Sequence, residues 1–516
     1  MTRLVVLSVV VAAGVSGCGV PEAAPSHPMH DTVRQELRPT DTSGMQMFRF
    51  DPTDVIERFG VDGGDFAVHF TRAGRHRVPA ADRNDSGVPD FVEDVAAVYE
   101  DVWATYGAWG FRHPPRDTTV PSNGGDDRFD VYLLDFARQA DGAFRQDACT
   151  TANAEICIGY MVQENDFAGY GYPSLTEATR ILGSHEFFHA VQAGYDSSQE
   201  VNLSEGTAVW ATEQYDPQSD DFEGFIGAWL ARPDRSLDSA PTGPVPASAY
   251  GTAIFFQFLT ERYDAAIVRK LWEHLENGRG FDSEPANQAN PTWVIQLDAL
   301  LRAEYQSTFA RTFEEFATWN LYLGPAAADS AQSYDNGVRY PTVMMTQVTA
   351  PYRVSPMRVF YASTQYLRLP VDGRASMTAA LFDDPAIAGD DTEGMVLVGA
   401  ARRQGRNVEV KRLPATFDTS TADELVVAVI NTARSAVGPV LSKRPGLCVG
   451  TPAEVQSCLL PPSMDAGATA DPDAGVTLPS IDQPLPAVKP GCGCGMGGGL
   501  TPLLLLLAAL VRRRSP

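Results

Sequence analysis

The sequence predicts an α+β protein with three folded sections between two export-type tails. Strand-like alternation and helix-like apolar spacing are interspersed from residue 46 to 195. From 196 to 330 the pattern is helical. From 345 to 460 it breaks into short alternating runs that read as an all-β sandwich. The chain has 516 residues, enough for two or three domains with ample core. Its net charge of −25 and isoelectric point near 4.7 leave no basic stripe for nucleic acid, and they suit an exported protein.

At the N-terminus Arg3 precedes an apolar run from Leu4 to Val15, then Ser16-Gly17-Cys18. Residues 1–18 read as a signal segment. The end of it resembles a bacterial lipobox, in which Cys18 is lipidated after cleavage before it; a plain secretory signal is the alternative. Residues 19–45 read as a polar tether, and 461–490, rich in Pro, Ala and Asp, as a stalk. The last segment, 491–516, holds Cys492, Cys494, an apolar run Leu500–Val511 and Arg512–Arg514. That run is short of the roughly 20 residues of a membrane span. The arginines would stay cytoplasmic. The segment resembles the C-terminal sorting tags of myxobacteria, which implies a sorting protease acting at the cysteine motif. A simple tail anchor is the alternative. The expected location is the outer membrane and cell surface, with membrane contact through the lipid anchor and the tag.

Within the body, Phe66–Phe70 alternates like a strand. Phe91–Trp109 is helical, with Val92, Val95, Val98, Tyr99 and Val102 on one side. Phe129–Leu134 reads as a buried strand. Ile156–Val162 reads as an edge strand beside the central helix, where an extended peptide would pair. An exported chain can oxidise its close cysteine pairs, so Cys149–Cys157 and Cys448–Cys458 are expected disulfides. A buried helix is expected from Tyr250 to Leu259, with others over Ala265–Leu275 and Phe313–Leu323. Tyr366–Leu369 and Leu425–Ile430 are expected sandwich strands.

Asp82, Asn84, Ser86, Val88, Asp90 and Glu93 occupy the ligand positions of an EF-hand-type loop, with Gly87 at its turn. Oxygen donors at this spacing suit Ca²⁺ in a structural role. A polar turn ending in a helix cap is the alternative.

The central motif is His185-Glu186-Phe187-Phe188-His189, an HExxH. Ser174 and Glu177 form a capping-box pattern before it, and Gly194 offers a stop after it. Two histidines four apart on a helix project from one face and can bind one Zn²⁺, while the glutamate between them takes a proton from a zinc-bound water. A catalytic zinc wants a third protein ligand. Gln192 and Tyr195 stand where a metzincin would continue its motif, which excludes that class. Glu205, sixteen residues after His189 in Leu203-Ser204-Glu205-Gly206-Thr207, is the favoured third ligand. Asp196 is a weaker candidate. Glu213 could orient a ligand, but a solvated helix face is the expectation for it.

HEFFHAVQ followed by LSEGTAVW resembles the gluzincins, the thermolysin and aminopeptidase group. The resemblance implies a zincin fold in the first two sections, with His185, His189 and Glu205 as zinc ligands and Glu186 as general base. It implies a tyrosine at the start of a later helix as oxyanion donor, which points to Tyr250, with Tyr195 and His274 as rivals. The gap to Glu205 is three residues shorter than in aminopeptidases, and the exopeptidase signature is missing, so endo- against exopeptidase action stays open. The whole chain resembles surface-sorted metalloproteases of myxobacteria. The expected activity is zinc-dependent hydrolysis of a protein or peptide substrate. The alternative is a non-catalytic surface adhesion protein retaining the zincin fold.

Overall fold

The computed structural model describes residues 37–460, apart from 44–45, 121–122, 151–154, 239–244, 277–291, 330–331, 386–390 and 434–441. The signal segment with Cys18, the stalk and the tail with Cys492 and Cys494 lie outside the described residues. The described chain is mixed α+β.

The first section builds one sheet from β1 (Ile56–Phe59), β2 (Phe66–Thr71), β3 (Phe129–Leu134), β4 (Gly142–Cys149) and β5 (Cys157–Glu164). Their order is β1-β2-β3-β5-β4, with β2, β3 and β5 parallel and the two edges antiparallel. The parallel strands are buried along their whole length. That is why they read as continuous apolar runs. Helix α1 (Asp90–Ala108) and helix α2 (Leu175–Ala193), which carries HExxH, pack with the sheet in one core through Tyr99, Tyr106, Phe187 and Phe188.

Two expectations change here. The strand expected at the edge is β5, which lies second from it; the edge is β4. Cys149 stands opposite Cys157 in the β4–β5 register, and their disulfide (S–S 2.03 Å) ties β4 back along β5. The expected tether is also shorter than 19–45. Arg38 is only 1% exposed and lies among Asp117, Asp130 and Asp147 at 2.7–2.8 Å, while His69 Nε2 lies 2.6 Å from Asp130. Removing Arg38 would leave three carboxylates buried without their cation, a change of the kind that costs about 3–5 kcal/mol. The folded body therefore includes this segment.

The helical section holds α3 (Val201–Tyr215), α4 (Asp221–Leu230), α5 (Ala247–Tyr250), α6 (Ala253–Arg262), α7 (Ile267–Leu275), α8 (Trp293–Glu304) and α9 (Phe309–Trp319). The helix expected to begin at Tyr250 is split there. Gly251 lies so close to α4 that a Cβ would sit 2.8 Å from Phe225 O and Trp229 N. Tyr250 therefore ends α5 rather than opening α6.

The third section contains β6 (Thr346–Gln347), β7 (Tyr352–Val354), β8 (Val359–Phe360), β9 (Ser363–Pro370), β10 (Ser376–Phe382), β11 (Met395–Arg403), β12 (Arg406–Arg412), β13 (Phe417–Asp418), β14 (Glu424–Asn431), β15 (Ser442–Lys443) and β16 (Gly446–Gly450), then α10 (Pro452–Leu459). A five-stranded sheet, β12-β11-β14-β9-β6, packs against a four-stranded sheet, β13-β10-β16-β7. Cys448 and Cys458 join β16 to α10. Period-two alternation assigns the two faces of β14. Leu425, Val427 and Val429 face the other sheet, while Val426, Ala428 and Ile430 belong to the core shared with the helices. Tyr366 Oη donates to Ala317 O at 2.7 Å and Arg402 Nη2 to Leu321 O at 2.7 Å across that seam. The sandwich is thus fused to the helical section. Among the described residues no helix is long and apolar enough to cross a membrane.

Candidate metal centre

Helix α2 starts as expected at its cap: Ser174 Oγ accepts from Glu177 N at 3.1 Å. It ends at Gly194, but with φ −74°, an ordinary right-handed value rather than the left-handed one glycine permits. Both histidines lie on the buried part of the helix, His185 2% and His189 5% exposed. Helix α3 begins at Val201, which places Glu205 in its second turn, fully buried.

These elements bring His185, His189 and Glu205 together with donor atoms within 4.8 Å of one another. Glu205 Oε2 lies 3.3 Å from His185 Nε2 and 3.5 Å from His189 Nε2. Neither approach has hydrogen-bond geometry, and both buried oxygens of Glu205 lack a hydrogen-bond partner. A buried carboxylate left in this state is costly unless a cation joins it. The donor set of two imidazoles and one carboxylate therefore fits Zn²⁺.

The tautomer of His189 is fixed by a residue that sequence reasoning passed over. Gln192 Nε2 donates to Ser204 O at 2.8 Å and to Thr207 Oγ1 at 2.9 Å. Its Oε1 is left to face His189 Nδ1 at 2.8 Å, where it accepts the ring proton. Nε2 is then the nitrogen facing Glu205, and in the neutral ring it keeps the lone pair a metal would take. The only signal for Gln192 was its place three residues after a histidine on a helix. Burial alone would push His189 down; the Glu205 carboxylate overrides this and raises the ring to about 9. Burial pulls Glu205 up, and the two imidazoles outweigh it and hold the carboxyl at about 2.

Glu186 is fully buried and reaches the edge strand, accepting from Phe144 N at 3.0 Å. Asp141, at the mouth of β4, accepts from Tyr172 Oη at 2.5 Å, while its Oδ1 has no hydrogen-bond partner. Burial raises its pKa against the pull of Tyr172, and the Glu186 charge raises it further. Nothing in the local sequence marks Asp141. The Tyr250 ring stacks 6.0 Å from His185 and 5.3 Å from Phe225, which brings it to the cluster.

The other candidates have different duties. Tyr195 Oη accepts from Arg112 N at 2.7 Å under the Arg112 guanidinium. Asp196 binds Ser198 and Gln199 within its own loop and is outside the cluster. His274 is half-buried in the last turn of α7, also outside the cluster. Glu213 is not on a solvated face: it is 5% exposed, and burial, with the Glu223 charge, raises it to about 8.

The Asp82–Glu93 loop forms a turn that leads into α1, whose N-cap residue Pro89 makes no side-chain cap bond. Asp82 accepts from Ser86 N and Gly87 N, Asp90 accepts from Arg83 N and Arg83 Nε, and Asn84 Nδ2 donates to Glu93. Gly87 has φ +85°, as the turn requires. Ser86 Oγ lies against the Val88 backbone.

Among the described residues a second cluster, Asp51, Asp54 and His76, also brings donor atoms within 4.8 Å. Its histidine differs. His76 Nδ1 accepts from Asp135 N at 2.9 Å, so in the neutral ring Nε2 carries the proton and neither nitrogen keeps a free lone pair. Asp51 also pairs with Arg75 Nε at 3.3 Å.

No protein-family model matches this sequence, and no curated protein matches it.

Proposed function

We propose that this chain is a zinc-dependent peptidase of the exported, surface-held kind, with a zincin-type catalytic unit. The observation that carries the reading is the pair of buried, hydrogen-bond-free oxygens of Glu205 between two imidazole Nε2 atoms, with Glu186 beside them. His185, His189 and Glu205 would hold the ion. Zinc there would supply Lewis-acid polarisation of the scissile carbonyl and a water of lowered pKa.

The chain's own groups do the rest. Gln192 keeps the His189 proton on Nδ1, away from the ligand atom. Glu186 accepts the proton of the attacking water and passes it to the leaving amine. Its bond from Phe144 N holds it against β4, whose outer edge offers backbone groups to an extended peptide. Tyr250, against His185, is assigned to donate to the developing oxyanion. The signal segment, the stalk and the tail would place the enzyme at the cell surface.

The test is cleavage of casein and a peptide library by the full-length protein, with a chelator and zinc add-back. Hydrolysis lost to chelator and restored by zinc is expected. No hydrolysis by protein carrying one zinc per chain would leave the adhesion reading.

A further inference from the structure

Period-two alternation gives the first sheet two faces. Val131, Leu133 and Met161 join the core shared with α1 and α2, while Tyr132, Leu134, Tyr160 and Val162 pack on the other side with Phe50. The N-terminal segment thus forms a strap behind the sheet, and its contacts follow β4. Phe50 shares its cluster with Ala143, and Phe48 packs against the same cluster. The Arg145 guanidinium lies 5.6 Å from the centre of the Phe48 ring. Arg38 Nε and Nη2 donate to Asp147 Oδ2 at 2.9 and 2.7 Å, and Nη1 donates to Asp130 of β3 at 2.7 Å. The β4–β5 register shifts at Asp147, between Gln146 and Ala148, and a bulge of this kind re-aims a side chain. On the opposite face of the same strand Phe144 packs against the main core, and Phe144 N donates to Glu186 at 3.0 Å.

We propose that Arg38 is a positioning residue for catalysis: by bridging Asp147 on β4 to Asp130 on β3 it fixes the edge strand in the place from which Phe144 N holds Glu186. The proposal rests on the peptidase reading for the role of Glu186, not for the hold on β4. An edge strand has a ladder on one side only, and β4 pairs with β5 alone. The Cys149–Cys157 disulfide ties the end of β4 to that same neighbour. Arg38 carries the connection past β5 to the middle of the sheet. The planar guanidinium suits this duty, because its fork of donors meets several carboxylates at once in fixed directions. Phe144 lies only three residues before Asp147 on the strand, so play at the bulge reaches the amide that holds Glu186. A general base must stand within hydrogen-bond reach of the proton it takes, and a small displacement of its support removes that reach.

The experiment compares wild type with Arg38→Lys, both full length and zinc-loaded. The ammonium keeps the charge but cannot span carboxylates on two strands as the fork does. Hydrogen–deuterium exchange at the backbone amides of β4, Phe144 included, should speed up about tenfold, while the amides of α2 and β2 keep their wild-type rates. At saturating peptide, kcat per bound zinc should fall by about 10–100-fold. Asp147→Ala, which leaves Arg38 paired with Asp117 and Asp130, should act in the same direction, and it decides the matter if Arg38→Lys does not fold; thermal melting verifies the fold of each. Unchanged exchange at β4 in the folded variants overturns the proposal. So does faster exchange at β4 with undiminished kcat. Exchange that rises evenly over the whole sheet, with kcat per zinc-loaded chain unchanged, assigns Arg38 to stability alone and also overturns it. Faster exchange confined to β4, in a protein whose wild type hydrolyses no peptide, would keep the hold on β4 and remove the peptidase reading, so the two fail separately.

Discussion

Among the described residues are two three-residue clusters of the same donor classes, and one detail separates them. His185, His189 and Glu205 sit in the core; Asp51, Asp54 and His76 sit nearer the surface; both bring ligand atoms within 4.8 Å. In the first, His189 Nδ1–H donates to Gln192, so the neutral ring keeps its lone pair on Nε2. In the second, Asp135 N takes the lone pair of His76 Nδ1, and the remaining proton blocks Nε2. Nearness of donors is therefore not enough. The hydrogen bond on the far side of the ring decides whether a histidine can be a ligand.

The largest expected effect breaks the first cluster and spares the second. His185→Ala, His189→Ala and Glu205→Ala should each abolish stoichiometric zinc, while His76→Ala should leave zinc content unchanged; metal analysis of the dialysed proteins reads both. Full zinc in Glu205→Ala would remove Glu205 from the ligand set. A smaller effect sharpens the tautomer account. Gln192→Ala should weaken zinc binding about 10–100-fold by competition with a chelator, the usual range for a ligand's outer partner. Unchanged affinity would show that Gln192 does not set the ring.

The pH dependence is next. His189 is raised to about 9 in the metal-free protein, above its ordinary 6.5. A raised imidazole contributes stability that is complete below about 6.5 and is lost as pH rises through about 9. The metal-free protein should thus lose stability over that interval by denaturant melting. Zinc must displace the same proton, so its affinity should rise with pH across the interval and its binding at pH 7 should release a proton. An affinity that falls as pH rises from 6.5 to 9 would contradict this.

The smallest effect concerns the Asp82–Glu93 loop, where Asp82 accepts from Ser86 N and Gly87 N and Asn84 donates to Glu93. If the loop binds calcium, Asp82→Ala with Glu93→Gln should lower the melting temperature in calcium and leave zinc content unchanged. Identical melting of wild type and this variant across a calcium titration would reduce the loop to a turn.

What the sequence made legible follows from the range of the interactions. The HExxH helix was readable because its cap, period and ligand pair are local, and Glu205 because helix α3 follows closely. Strand order was not readable: β4 takes the edge through pairing with β5, which no local pattern specifies. Arg38 was taken for tether because its partners lie 79 to 109 residues away. Glu213 was misplaced because its helix carries apolar and polar residues on all sides, with nearly every position buried by α2, α4 and α6. The fusion of sandwich and helices was hidden for the same reason: β14 is buried on both faces, so its alternation disappears.

The most direct measurement compares peptide hydrolysis by wild type and Glu186→Gln, both full length and both shown to carry one zinc per chain. The substitution keeps the shape of the side chain and removes the proton acceptor. Zinc content should be equal, and hydrolysis should fall by about 10²–10⁴-fold, the usual contribution of a general base. Undiminished hydrolysis at equal zinc would contradict the assignment of Glu186 and, with it, the peptidase mechanism built on this centre.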